Sequence, residues 1–158
     1  MNTRRKLLTA SATLLLLRGG TLMAQEKSKL IFGTATPGGG FPAYGWPYAE
    51  VLNAADAMLG IEPINTKGST ENLPLMVQDK LDLGLVTGEV LYEAVKGIGG
   101  PPVKNIRIIN ATYSQAGMFI VRGDSPYKSI ADLKGKPIVW GAGTSGFIVL
   151  ARYVMDGI

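Results

Sequence analysis

Three segments of the chain combine glycine with hydroxyl-bearing residues in a pattern that suits the binding of a small anion. They are residues 36–44 (TPGGGFPAY), 67–72 (KGSTEN) and 141–147 (GAGTSGF). Each follows a β-type run and precedes a helical pattern, so each is expected to present the first N–H groups of a helix. Such groups lack intrahelical partners and carry the positive end of the helix dipole. The three segments together predict a site for a carboxylate, phosphate or sulfate group.

The last segment also matches a dinucleotide-binding fingerprint. Residues 141–146 read GAGTSG, which fits the G-x-G-x-x-G pattern between a predicted strand and a predicted helix. That motif requires an acidic residue about 20 positions further on, and this position would lie beyond Ile158. Tight-turn geometry is therefore the favoured interpretation, and a nucleotide-dependent enzyme that uses this loop is the alternative.

The composition excludes several kinds of catalytic site. The 158 residues include no Cys and no His, so the chain cannot supply a thiolate nucleophile, a histidine base or a Cys- or His-ligated metal site. Glu71 and Glu89 lie close to the anion-type segments, but no pattern fixes their separation, and Glu71 suits the first turn of a helix. We therefore predict a binding protein with no catalytic residues, no metal and no cofactor.

The first 24 residues have the anatomy of a cleaved signal peptide. A basic start precedes an apolar stretch at residues 7–17, and Leu22-Met23-Ala24 precedes the polar Gln25. Residues 3–8 (TRRKLL) match the twin-arginine pattern, with Sec export as the alternative. Cleavage near Ala24 and a periplasmic location are expected.

The net charge of +4 belongs to this leader. Its basic residues are Arg4, Arg5, Lys6 and Arg18, and it contains no acid. Of the 16 basic residues, 12 remain after Ala24, against 12 acidic ones. A phosphate backbone is bound by clustered Lys and Arg, so a neutral mature chain argues against a nucleic-acid partner.

From residue 28 onward, short β-type runs alternate with helical patterns, which predicts an α/β fold around a mainly parallel sheet. The predicted strands are residues 30–33, 61–65, 81–86, 106–111, 118–121 and 137–140. The predicted helices are residues 44–59, 69–77, 90–96 and 147–155, with a short capped turn at 129–132. Pro47 is expected in the first helical turn, and Pro63 places the second strand at a sheet edge.

The turn at residues 123–126 (GDSP) is the predicted boundary between two lobes. Residues 28–121 would form the first α/β lobe. Residues 122–158 are too few for an independent core, so they would form an incomplete second lobe. The chain is thus expected to be a truncated form of a longer protein, and an inactive remnant is a further alternative.

The order of these motifs resembles the TAXI-type solute-binding subunits of TRAP transporters. The matching segments are TPGGGFPAY (36–44), GSTENL (68–73), LDLGLV (81–86), YEAVKG (92–97) and SIADLKGKPIVWGAGTSG (129–146). The resemblance covers about residues 30–158 and implies the type II periplasmic binding protein fold. In that fold two α/β lobes close on a small organic anion, often a carboxylate, and the complex docks on membrane permease subunits.

The resemblance also implies ligand contacts, which are carried over by position. They are Gly39, Gly40, Tyr44, Ser69, Asn72, Tyr113, Thr144 and Ser145. All but Tyr113 lie in the three anion-type segments. The tyrosines would cover the apolar stem of the ligand while their hydroxyls bond its polar end.

Overall fold

The computed structural model describes residues 27–114 and 119–157, and a three-stranded parallel sheet lies at its centre. The strands are β1 (Ser28–Gly33), β2 (Leu59–Ile64) and β3 (Leu83–Gly84), in the order β2-β1-β3. The pairing runs from Ser28↔Leu59 to Gly33↔Ile64 on one side of β1, and β3 pairs with the end of β1 on the other. The α/β fold with a parallel sheet is confirmed.

Four α-helices accompany the sheet in the described residues. They are α1 (Gly40–Ala55), α2 (Ser69–Val77), α3 (Gly88–Lys96) and α4 (Gly146–Asp156). Each strand is followed along the chain by a helix, which is the alternation that parallel pairing requires. A one-turn 3₁₀ helix (Ile130–Leu133) carries the predicted cap: the Asp132 carboxylate accepts from the Ser129 N–H at 2.8 Å. The backbone N–H of Lys128 donates to the same carboxylate at 2.8 Å. These two backbone donors hold the pKa of Asp132 below its usual value.

Helix α1 begins earlier and ends earlier than its apolar pattern predicts. The helix starts at Gly40, so Pro42 occupies the first turn, and Pro47 lies in the helix interior instead of the first turn. At its other end Asp56 accepts a hydrogen bond from Met58 N at 2.8 Å, which turns the chain before the predicted stop at Gly60. Gly60 instead belongs to β2.

Strand β2 is the edge strand that Pro63 predicts, and its outer side is blocked. Proline offers no N–H to a further strand. Ile61 lies two residues before Pro63, and the side chain of Asn53 on α1 bonds both of its backbone groups. The Nδ2 of Asn53 donates to the Ile61 carbonyl, and its Oδ1 accepts from the Ile61 N–H, both at 2.8 Å. A helix side chain thus replaces the missing neighbour strand at Ile61.

Substitution of Asn53 by alanine is expected to lower the free energy of unfolding by about 2 kcal/mol, because two backbone groups of Ile61 lose their partners. Urea unfolding followed by circular dichroism measures the loss. Asn110→Ala is the matched control, since Asn110 is exposed and its loss should stay within about 0.5 kcal/mol. Equal effects of the two substitutions would contradict the bridge.

Two apolar clusters hold the helices in place. The first joins Phe32, Ile61 and Leu85 of the sheet region to Ala49 of α1. The second joins Leu73, Val90 and Val149, which belong to α2, α3 and α4 respectively. Because Val149 shares this cluster, the last helix packs on the same core as α2 and α3. The division into lobes at residues 121 and 122 stays a prediction.

Three predicted strands do not form in the part of the chain that is described. Residues 106–111, 119–121 and 137–140 lie in no strand. Several of their apolar side chains are exposed, among them Ile109 at 75% and Val139 at 94%, whereas the side chain of Ile106 packs near Val90. The physical reason is that a β-type run becomes a strand only when a neighbour pairs with its backbone groups. No such neighbour lies beside these runs among the described residues. The third strand is also shorter than predicted, at two residues.

Several predictions fall outside the described residues. The signal peptide at residues 1–24 is one, and Met118, the first residue of a predicted strand, is another. Within residues 27–114 and 119–157, no helix is both long enough and apolar enough to cross a bilayer.

Candidate functional site

The carboxyl ends of the parallel strands meet at one edge of the sheet, and the loops that follow β1 and β2 are tied together there. Thr34 is fully buried after β1. Its N–H and its hydroxyl both donate to the carbonyl of Ile64, at 3.0 and 2.7 Å. In return the hydroxyl of Thr66 donates to the carbonyl of Thr34 at 3.1 Å. The two loops therefore form one rigid corner.

The second and third anion-type segments are in direct contact. The hydroxyl of Thr70 donates to the carbonyl of Thr144, and the hydroxyl of Thr144 donates to the carbonyl of Lys67 at 3.3 Å. Gly68 lies beside Ser145: an added Cβ would be 3.6 Å from the Cα of Ser145, an ordinary contact distance, and the φ of +109° is one that favours glycine. Residues that are more than 70 positions apart are thus brought together, as the shared design of the segments predicts.

Three helices begin at one point, which we call the helix-start cluster: Ser69, Thr87 and Gly146. Ser69 opens α2, Thr87 precedes α3 and Gly146 opens α4. The Ser69 hydroxyl accepts a hydrogen bond from the Thr87 N–H at 3.0 Å. A Cβ on Gly146 would overlap the Thr87 hydroxyl and lie 2.7 Å from that of Ser69. Only glycine lets α4 start this close to the other two helices.

Sequence reasoning missed Thr87. It is 8% exposed, and its Oγ1 is buried without a hydrogen-bond partner among the described residues. The signal was present, because Thr87-Gly88 follows β3 as a hydroxyl and a glycine, the same design as the three anion-type segments. The predicted start of the third helix at Val90 concealed it, since α3 begins two residues earlier.

Formal charges near the cluster are mixed. Lys67 is exposed and precedes α2, while Glu71 lies in the first turn of α2, as predicted, and accepts from the Lys67 N–H. Glu89 lies in the first turn of α3. An acid in a first turn is attracted by the helix dipole. The positive character of the cluster therefore comes from backbone N–H groups and from Lys67, against two carboxylates.

Asn72 is inaccessible to solvent and serves the frame of the corner. Its Nδ2 donates to the carbonyls of Gly33, Thr34 and Leu85, at 3.2, 2.8 and 2.8 Å. The amide thereby ties the end of β1 to the residue that follows β3. Its Oδ1 is buried without a partner in the described residues and faces the Cα of Gly33, where a Cβ would lie 2.7 Å away.

The other predicted contact residues form a second group around the start of α1. Gly39 precedes α1 and donates its N–H to the carbonyl of Thr36 at 3.1 Å, while Gly40 is exposed. The Tyr113 hydroxyl lies 3.4 Å from where a Cβ on Gly40 would be. The rings of Tyr44 and Tyr113 are 5.3 Å apart.

In the structure the eight predicted residues lie in two separate groups. Gly39, Gly40, Tyr44 and Tyr113 lie at the start of α1; Ser69, Asn72, Thr144 and Ser145 lie at the starts of α2 and α4. Between them, a Cβ on Gly68 would lie 3.8 Å from the Cβ of Ala35. Ser69 and Asn72 are buried, and Ser145 caps α4 by accepting from the Phe147 N–H at 3.2 Å.

Two shallow pockets lie elsewhere on the surface. One, of about 300 Å³, is lined by Gly88, Glu89, Tyr92 and Tyr153. The other, of about 310 Å³, is lined by Trp46, Pro47, Ala49, Glu50, Asn53 and Pro63. Neither contains any of the eight predicted residues. In the described part of the chain, no group of three or more acidic side chains is arranged to hold a metal ion.

A comparison with protein families agrees with this architecture. The sequence model of the NMT1-like family matches residues 32–158, which is most of the chain. The match begins in β1 and extends past the end of α4, so it includes all three anion-type segments. The family is one of periplasmic-binding-protein-like chains.

Proposed function

The chain belongs to the NMT1-like family, whose general role is periplasmic solute binding. On this basis we propose that it captures a small organic anion for a membrane transporter. The proposed ligand is a carboxylate. The proposed partners are the permease subunits of a TRAP-type transporter, with this chain as a TAXI-type binding subunit. The family match supports solute binding; the ligand class and the transporter rest on the geometry and the motifs.

The observation that carries the anion proposal is the meeting of the starts of α2, α3 and α4 at the helix-start cluster. Each helix has about half a positive charge at its N-terminus, and helix starts bind anions through backbone N–H groups. Three starts at one point add their fields in the same place. Two first-turn carboxylates offset part of that field, and the Thr87 N–H already donates to Ser69, so the proposed anion is held by the other N–H groups of the helix starts.

A binding role is proposed in preference to the nucleotide-dependent enzyme. The GAGTSG fingerprint requires a strand before its first glycine, and residues 137–140 form none in the described structure. Within the loop, Thr144 is hydrogen-bonded to Lys67 and Thr70, and Gly146 is packed against Ser69 and Thr87. The glycines and hydroxyls of this loop thus have a packing role that requires no nucleotide.

The proposed location is the periplasm, after removal of the leader near Ala24. This location agrees with the solute-binding family and with the leader's basic start and apolar stretch. Recovery of the chain from a periplasmic extract, with an N-terminus close to Gln25, is the direct test. Retention of residues 1–24 in a cytoplasmic fraction would contradict it.

A thermal-shift panel tests the ligand class. The purified full chain is heated with mono-, di- and tricarboxylic acids at constant ionic strength. A ligand at about 100 times its Kd stabilises a protein by about 2.7 kcal/mol, which for a chain of this size raises Tm by about 5 to 10 °C. The corresponding amides, uncharged but similar in shape, should give no shift. A flat response to every acid, or equal shifts with acids and amides, would contradict the proposal.

A further inference from the structure

The pocket between α3 and α4 has a chemistry opposite to that of the helix-start cluster. Its lining is Gly88, Glu89 and Tyr92 from α3 and Tyr153 from α4, and we call it the tyrosine pocket. Its volume of about 300 Å³ lies at the small end of ligand-binding cavities. Tyr92 and Tyr153 are 53% and 41% exposed, so both rings are accessible from solvent.

Both rings already attract cations from the chain itself. Lys96 Nζ lies 6.0 Å from the centre of the Tyr92 ring, and Arg152 Cζ lies 5.8 Å from the centre of the Tyr153 ring. These are the distances at which a cation is drawn to the negative face of an aromatic ring. Burial and the Glu93 carboxylate raise the pKa of the Tyr153 phenol above its usual 10.0, so the ring is neutral at pH 7.

Glu89 is the carboxylate of the pocket whose charge is uncompensated. Glu93 lies one turn further along α3, but its carboxylate forms an ion pair with Arg152. Glu89 has no ion-pair partner among the described residues. The N-terminus of α3 contributes about half a positive charge beside it, against a full negative charge on Glu89. Among the residues that line the pocket the charge balance is therefore negative, since Lys96 and Arg152 lie outside the lining, and at close range Glu89 attracts a cation.

We infer that the tyrosine pocket binds an organic ammonium cation. Two accessible aromatic rings beside one unpaired carboxylate form the combination that recognises methylated ammonium groups. A weakly hydrated ammonium loses little on leaving water, whereas a small inorganic cation would need several oxygen ligands that the pocket lacks. The inference concerns a second site, and it does not depend on the anion proposal.

Choline is the probe, and the purified full chain is titrated with it while the N-methyl proton signal is followed by NMR. Two exposed rings and one carboxylate predict saturable binding with a Kd of about 1 to 10 mM. The neutral isostere 3,3-dimethyl-1-butanol has the same shape without the charge, so it should bind at least about tenfold more weakly. No saturation by choline, or equal binding of the two compounds, would overturn the inference.

Two pairs of variants locate the site. Glu89→Gln and Tyr92→Leu should each weaken choline binding about fivefold or more. Glu50→Gln repeats the first change on exposed Glu50 of α1. Tyr127→Leu repeats the tyrosine-to-leucine change outside the pocket. Tyr127 is a matched position because Lys136 Nζ lies 5.9 Å from the centre of its ring. Both controls should leave the Kd unchanged, and a control that weakens binding as much as its partner would overturn the assignment.

The fold of each variant is checked by its melting curve. All four substitutions are at side chains outside the buried core, so native melting is expected. Choline binding is read directly from its own signal, with no organic acid present. Failure of the anion proposal in the thermal-shift panel therefore leaves this result intact, and failure here leaves the anion proposal intact.

Discussion

Replacement of Asn72 by aspartate is expected to lower the free energy of unfolding by at least about 4 kcal/mol at pH 7. The change keeps the size of the side chain but removes the amide that donates to the carbonyls of Gly33, Thr34 and Leu85. In its place a buried carboxylate would face three carbonyl oxygens. Denaturant unfolding, followed by circular dichroism, measures the loss.

The loss should shrink in acid. A carboxyl that faces oxygen atoms has a raised pKa in the folded state, so the folded chain binds a proton more tightly than the unfolded chain does. Relative to the parent chain, the variant is therefore least destabilised below the unfolded pKa of about 3.9, and its loss grows as the pH rises. Asn110→Asp at an exposed position is the control, with a change within about 0.5 kcal/mol. Equal losses at pH 4 and pH 7 would argue against the buried amide network.

Gly146→Ala is expected to lower the free energy of unfolding by about 2 kcal/mol, because the new methyl group overlaps the Thr87 hydroxyl and lies 2.7 Å from that of Ser69. Alanine ordinarily stabilises a helix relative to glycine by about 1 kcal/mol, so a loss at this helix position has the opposite sign to propensity. Urea unfolding measures it. The variant should also lose the Tm rise with carboxylates, since α4 can no longer start beside α2 and α3.

The control for Gly146→Ala lies in the same loop. A Cβ on Gly143 meets no atom within 4 Å, and Gly143 is not among the glycines of positive φ. Gly143→Ala should therefore leave stability within about 0.5 kcal/mol of the parent chain. If the two variants unfold alike, the helix-start cluster is not closely packed.

The features of the fold that the sequence predicts correctly have local causes. The capping box of Ser129 and Asp132 forms as its spacing predicts. Gly97 ends α3 in the left-handed conformation, at φ 74°, which glycine adopts without steric cost. Pro63 lies on an edge strand because its lack of an N–H forbids a central one. In each case one or two residues restrict their own backbone.

The features that the sequence does not predict depend on distant partners. Residues 106–111 and 137–140 have a composition typical of strands. Composition does not show whether a neighbouring strand will pair with their backbone N–H and C=O groups. Pro47 lies inside α1, where its missing N–H removes one intrahelical hydrogen bond, and no local pattern predicts that position. The short β3 is a further case, since only two of its residues pair with β1.

At the site, the sequence predicts which residues come together but not what each one does. Ser69 and Asn72 are near Thr144 and Ser145, as the shared segment design implies. Their burial depends on residues that follow β3. Leu85 contacts Asn72 from 13 residues away, and Thr87 contacts Ser69 from 18 residues away. Asn72 is predicted as a ligand contact, and in the structure its amide is buried and hydrogen-bonded to three backbone carbonyls.

Because the outer side of β2 is blocked, the two edges of the sheet differ in their ability to accept a further strand. With Asn53 bonded to Ile61 and no N–H on Pro63, an incoming polypeptide finds no continuous row of donors and acceptors there. Fibril-like growth by strand addition would have to recruit the opposite margin, beside Leu83 and Gly84. A peptide designed to arrest such growth would therefore be aimed at that margin alone.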